Sequence, residues 1–175
     1  AGTYSTLAGA RSGDTCQQCG AGKYSATIGA MDAATCDDCV AGTFASTPGG
    51  AAEAACESCG AGKYSSSAGS SSCQDCVRGK YLTTQGSDAA SDCVSCAAGT
   101  YAPVTGAKAV TECVGCVAGK YLPSTGNDGE SDCMLCAEGK YSSSSGSTAC
   151  QDCTAGTYLT SQGNAAASDC VGCEA

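Results

Sequence analysis

Large side chains are scarce along this chain and fall on a regular beat. Aromatic residues stand at Tyr4, Tyr24, Phe44, Tyr64, Tyr81, Tyr101, Tyr121, Tyr141 and Tyr158, and these are all the aromatics present. Between them run Ala, Ser, Thr, Gly and acidic residues, with no apolar recurrence at helical spacing, so the pattern predicts essentially no helix. Stretches such as Tyr121-Leu-Pro-Ser-Thr-Gly126 and Tyr158-Leu-Thr-Ser-Gln-Gly163 suit strands of three or four residues ended by a turn. One glycine precedes each aromatic by two positions (Gly22 before Tyr24) and another follows by five (Gly29 after Tyr24), and neither row fails. The first is expected to take a backbone conformation closed to other residues, the second to mark a turn between short extended segments. Each aromatic is expected to be the packing anchor of its unit. A row of ligand-binding rings is the competing reading, disfavoured because Phe44 replaces Tyr without its hydroxyl.

Eighteen cysteines form nine Cys-x-x-Cys pairs beginning at residues 16, 36, 56, 73, 93, 113, 133, 150 and 170. The steps are even, except that those from 56 to 73 and from 133 to 150 are three positions shorter, so the chain is a repeat array. Its units run as a partial repeat at 1–18, repeats at 19–38 and 39–58, a short repeat at 59–75, repeats at 76–95, 96–115 and 116–135, a short repeat at 136–152, a repeat at 153–172, and the start of another at 173–175. The segment 62–76 returns almost unchanged as 139–153. Duplication and a lattice requirement of one altered contact every four units both account for that superperiod.

Composition explains why cysteine is needed. Leu, Ile, Val and Phe together number 15 in 175 residues, too few to offset a backbone ordering cost of roughly 1–2 kcal/mol per residue. The expected fold is therefore a small disulfide-rich repeat array, elongated, made of short β-hairpins and turns. Three cysteine arrangements fit the spacing. The first joins Cys19–Cys36, Cys39–Cys56, Cys59–Cys73, Cys76–Cys93, Cys96–Cys113, Cys116–Cys133, Cys136–Cys150 and Cys153–Cys170, and each closure of about 15 residues is worth roughly 3 kcal/mol. It leaves Cys16 and Cys173 for cysteines outside the chain, as expected of an excerpt from a longer array. The second closes each pair on itself and leaves the intervening loops unfastened; a redox role for it is disfavoured by Asp37-Asp38, Glu57-Ser58 and Gln74-Asp75 between the thiols. The third is a row of four-thiolate zinc sites, into which nine pairs do not divide.

Charge and side-chain chemistry narrow the function. A net charge of −9 with no histidine and no basic patch argues against nucleic-acid partners. No run approaches the roughly 20 apolar residues of a membrane span, so direct membrane insertion of this segment is not expected. No nucleophile–base constellation is present, so the chain is read as not an enzyme, and no cofactor or metal is expected. Lys23, Lys63, Lys80, Lys120 and Lys140 precede tyrosines but alternate with Thr in the same slot, the mark of an exposed strand position rather than an anion site. Asp14, Asp92, Asp132 and Asp169 recur near cysteines; calcium contact is the sharp reading, solvated acid the plain one, because no unit has the oxygen density of a calcium loop. Asn127-Asp-Gly and Asn164-Ala-Ala lack the N-glycan sequon, while Ser65-Ser66-Ser67 and Ser142 to Ser145 are candidate O-glycan sites.

Cys59-Gly-Ala-Gly-Lys-Tyr64-Ser65 and Cys136-Ala-Glu-Gly-Lys-Tyr141-Ser142 resemble the ephrin-receptor-like cysteine-rich repeats and the simplest module of tumour necrosis factor receptor ectodomains. In that module the cysteine before Gly-x-Tyr pairs with the next one along, which favours the first arrangement. The chain departs from those receptors in having no unit with crossed disulfides and in replacing the usual proline after the cysteine pair by Ala, Glu, Arg or Gly. Uninterrupted arrays of this kind are similar to long surface proteins of protists and algae, flagellar hairs included. The resemblance and the disulfides together imply a secreted or cell-surface protein. The leading expectation is a structural segment of an extracellular filament, matrix or coat, partnered by other copies of the same or a related repeat protein and carrying O-linked glycans. The alternative is a ligand-recognising or spacer region of a receptor ectodomain.

Overall fold

A computed structural model of the chain describes residues 1–9 and 11–174; position 10 of the 1–18 partial repeat and position 175 of the 173–175 tail lie outside the described residues. The described chain contains nine two-stranded antiparallel hairpins, every strand two residues long. In each, the aromatic and the residue before it pair with the two residues between the cysteines of the next pair. Lys23–Tyr24 thus lies against Asp37–Asp38, in the register Lys23↔Asp38 and Tyr24↔Asp37. The Cys-x-x-Cys spacing serves this geometry: its middle residues are a strand and its cysteines fasten both ends of it.

The strands are shorter than the three or four residues expected over 121–126 and 158–163; they are Lys120–Tyr121 and Thr157–Tyr158. The residue after the aromatic leaves its hairpin because its backbone is committed to the next repeat. Ser25 donates its N–H to the Gly50 carbonyl and accepts from the Gly2 N–H, so no ladder partner is left for a longer strand.

Helix is confined to seven three-residue 3-10 turns among the described residues, each running into the first cysteine of a pair, as Ala33–Thr35 runs into Cys36. Such a turn is absent before Cys73 and Cys150, where the chain is three residues shorter. The disulfide geometry is unchanged by the loss: Cys59–Cys73 spans 14 residues with its Cα atoms 5.8 Å apart, and Cys39–Cys56 spans 17 with 5.6 Å. The short repeat is therefore a full repeat with its 3-10 turn removed.

The chain divides into two compact units, Ala1–Cys76 with Thr83–Asp92, and Val77–Leu82 with Cys93–Ala175. Inside the first, successive repeats are joined by three recurring backbone hydrogen bonds. Gly22 N–H donates to Ala45 O, Ser25 N–H to Gly50 O, and Gly49 N–H to Cys19 O. The set returns one repeat on as Gly42 to Ser65, Ala45 to Ser70 and Gly69 to Cys39. Inside the second unit it reads Gly99 to Leu122, Ala102 to Asn127 and Gly126 to Cys96. Since these bonds use main-chain groups only, one interface serves side chains as different as Ser65, Ala102 and Leu122, as repeat arrays require.

The glycine ahead of the aromatic belongs to this interface. Gly22 has φ of +81°, and a Cβ there would stand 2.0 Å from the carbonyl oxygen of Gly69, two repeats along. Glycine is required twice over, by conformation and by the approach of another backbone.

Candidate functional site

The recurring surface is built on the cysteines. Cys19–Cys36, Cys39–Cys56, Cys59–Cys73, Cys96–Cys113, Cys116–Cys133, Cys136–Cys150 and Cys153–Cys170 are disulfides with Cα atoms 5.6–5.9 Å apart, within the normal range for such bonds. Cys76 and Cys93 are disulfide-bonded as well, while Cys16 and Cys173 are free and exposed. In the pairs from Cys36 to Cys136 the second cysteine is the deeper one, with Cys39, Cys59, Cys96, Cys116 and Cys136 fully buried.

Tyr4, Tyr24, Phe44, Tyr64, Tyr81, Tyr101, Tyr121 and Tyr141 are half-buried, and Tyr158 is exposed. After every aromatic but Tyr4, the sealed side chain is instead the one that follows it: Ser25, Ala45, Ser65, Leu82, Ala102, Leu122, Ser142 and Leu159. Tyr101 shows the aromatic's place, packed against the cluster of Cys116, Leu122 and Cys133 in the following repeat. It lies against the neighbour's disulfide. Where the sealed residue is serine its hydroxyl is engaged, as with Ser142 Oγ donating to Ser147 Oγ at 2.6 Å, which removes the cost of burying it. The Ser/Ala/Leu mixture at this position hid its burial from a reading of hydrophobic pattern.

The hairpin register explains the charged residues. Lys23 pairs with Asp38, Lys63 with Asp75 and Lys140 with Asp152 across their strands, and Lys120 with Glu130 at 3.1 Å. Such half-exposed pairs contribute at most about 1 kcal/mol each. The recurring acids near the cysteines have a local role that their spacing alone did not reveal. Asp169 accepts from the N–H groups of Ala165 and Ala166, and Asp132 from those of Asp128 and Gly129, tying the entry to each 3-10 turn. Asp92 does the same for Ala89 and Glu112 for Lys108, whereas Asp14 accepts from the Ser12 hydroxyl. The Tyr24 phenol is pushed above its ordinary value by burial, with the Glu53 and Asp37 carboxylates adding to the effect.

Opposite the aromatics the two units differ. In the first, the cross-strand partners are polar: Gln17, Asp37, Glu57 and Gln74. In the second, Tyr81 faces Val94, Tyr101 faces Val114, Tyr121 faces Met134 and Tyr158 faces Val171, all exposed aliphatics, while Tyr141 of the short repeat faces Gln151. Of the serine runs, Ser65 and Ser142 are sealed, while Ser66, Ser67 and Ser143 to Ser145 are exposed.

The model of the tyrosine-protein kinase ephrin type A/B receptor-like family matches residues 49–93 and 124–170, more than half of the chain. The chain belongs to the ephrin-receptor-like family. Each matched segment carries one short repeat, 59–75 or 136–152, together with the 3-10 turn that precedes Cys93 or Cys170. Membership is consistent with an extracellular or cell-surface setting. No curated protein matches the chain.

Proposed function

We propose that this ephrin-receptor-like array is a non-catalytic region of an extracellular ectodomain, which recognises a partner or spaces a recognition domain. The observation that carries the reading is the family match, which falls on both short repeats and their flanks. Two features support it: main-chain bonds that hold successive hairpins in one relation, and exposed aliphatics opposite four of the five tyrosines of the second unit that give it a surface of its own. Exposed Ser66, Ser67 and Ser143 to Ser145 are the positions for O-linked glycans.

A second reading, a self-associating segment of an extracellular filament, matrix or coat such as a flagellar hair, is favoured by the near-identity of 62–76 and 139–153. Intact mass of the secreted chain before and after reduction, followed by sedimentation over a wide concentration range, separates the possibilities. A mass gain matching the sixteen bonded cysteines and a concentration-independent monomer are expected for the ectodomain. Concentration-dependent fibres would replace it with the second reading, and an unchanged mass on reduction would overturn both.

A further inference from the structure

Removing the 3-10 turn from the short repeats does more than shorten them. In the full repeat 39–58 the turn Glu53–Ala55 occupies the space beside Tyr24 of the preceding repeat and leaves a crevice of about 60 Å³ against Val40 and Cys56. Where the turn is missing, the same place opens into a notch. At the first short repeat it measures about 470 Å³ and is walled by Phe44, Glu57, Gly60, Lys63, Ser72 and Cys73. At the second it measures about 270 Å³, between Tyr121, Ala137, Lys140, Ala149 and Cys150. The walls of the two notches correspond in sequence position: Phe44 with Tyr121, Gly60 with Ala137, Lys63 with Lys140, Ser72 with Ala149, and Cys73 with Cys150.

We propose that each notch binds a neutral pyranose sugar, free or as the terminal residue of a glycan. The sugar stacks on Phe44 or Tyr121 and is hydrogen-bonded by Lys63 or Lys140. The aromatic ring has lost the turn that covers its counterpart in a full repeat. The C–H groups on one face of a pyranose suit the negative face of an aromatic ring. The side walls are small, Gly60 and Ser72 or Ala137 and Ala149, so no bulky side chain crowds the ring from those positions. The cationic groups are already neutralised: Lys63 is paired with Asp75 and Lys140 with Asp152. An ammonium nevertheless has three donors, so Lys63 and Lys140 each keep capacity for hydroxyl groups. An anionic ligand would find no unpaired cation there, and the net charge of −9 disfavours anionic saccharides and acidic peptides; a cationic one would find only Glu57 of the first notch, which has no counterpart in the second. Glu57 and Ser72 give the first notch acceptors that the second lacks, so it is the tighter of the two.

The test is a solution NMR titration of the oxidised full chain with methyl β-glucopyranoside and methyl β-galactopyranoside, with mannitol as an acyclic control and a Glu-Ala-Ala tripeptide as the turn-like competitor. Saturable shifts confined to the Phe44 and Tyr121 rings are expected with at least one pyranoside. Phe44→Leu should weaken binding at the first notch about tenfold while leaving the second unchanged. Insertion of Ala-Ser-Asp ahead of Cys73 and of Cys150, which restores the turn sequence of 167–169, should abolish both sets of shifts with all disulfides still formed. A glycopeptide ending in the same sugar distinguishes the sources: tighter binding than the methyl glycoside means a glycan terminus, equal binding a free saccharide. The absence of saturable shifts with either pyranoside, equal shifts with mannitol, a stronger response to the tripeptide, or binding that survives the restored turn would each overturn the proposal.

Discussion

Gly22 and Gly29 sit in one repeat and share a positive φ, yet their surroundings differ completely. A methyl group on Gly22 would strike the Gly69 carbonyl, whereas one on Gly29 meets nothing within 4 Å. Gly29→Ala should therefore cost only its backbone conformation, about 1 kcal/mol. Gly22→Ala must also displace backbone and should cost about 3 kcal/mol or more, as read from paired thermal or denaturant melts. Equal costs would show that Gly69 yields freely. Both glycine rows were visible in the sequence but their difference was not, because the oxygen that excludes a side chain at Gly22 comes from a residue two repeats away. The sealed position after the aromatic was illegible for another reason: burial there is tolerated by a bonded serine as readily as by Leu122.

Hairpin and 3-10 turn are elements held by different means. The hairpin is clamped by its disulfide, so two residues per strand suffice. The turn encloses no disulfide of its own, and in four of the seven, those ending in Asp92, Glu112, Asp132 and Asp169, an acid at the third position ties its entry. Asp169→Ala frees the Ala165 and Ala166 N–H groups and should destabilise the turn 167–169 by about 1 kcal/mol. Faster amide exchange at those two residues, with the Thr157–Tyr158 hairpin unaffected, is the expected result. Restoring the carboxylate as Asp169→Glu should recover part of the protection, and Asp169→Asn less. Hairpins, turns and the lack of long helix could be read from glycine and cysteine spacing. The 3-10 turns could not, since three Ala, Ser and Asp residues carry no periodicity. Of the acids weighed as calcium contacts or solvated charges, Asp92, Asp132 and Asp169 are tied to neighbouring backbone and Asp14 to the Ser12 hydroxyl.

Across the array, cysteine spacing left three arrangements open, because the loop lengths between pairs do not themselves distinguish bonding forward, bonding within a pair, or metal. The hairpin register closes the question by bringing the second cysteine of one pair beside the first of the next. Cys136→Ser combined with Cys150→Ser should cost about 3 kcal/mol and raise amide exchange mainly in repeat 136–152 and its direct neighbours. Full reduction should unfold the chain, as protease sensitivity and amide exchange would report, because so few large aliphatic and Phe residues cannot form a core. A reduced chain that kept its protection would refute that account. The approach of Gly69 to Gly22 also sets how far a disturbance travels. Had each hairpin met only the next, a pair of repeats would contain every contact of the array, and its cooperativity would be that of nearest neighbours. Here the pattern reaches one place further, so within a unit the smallest excerpt that contains every kind of contact is three consecutive repeats. A lesion in one is felt by the hairpin beyond its neighbour.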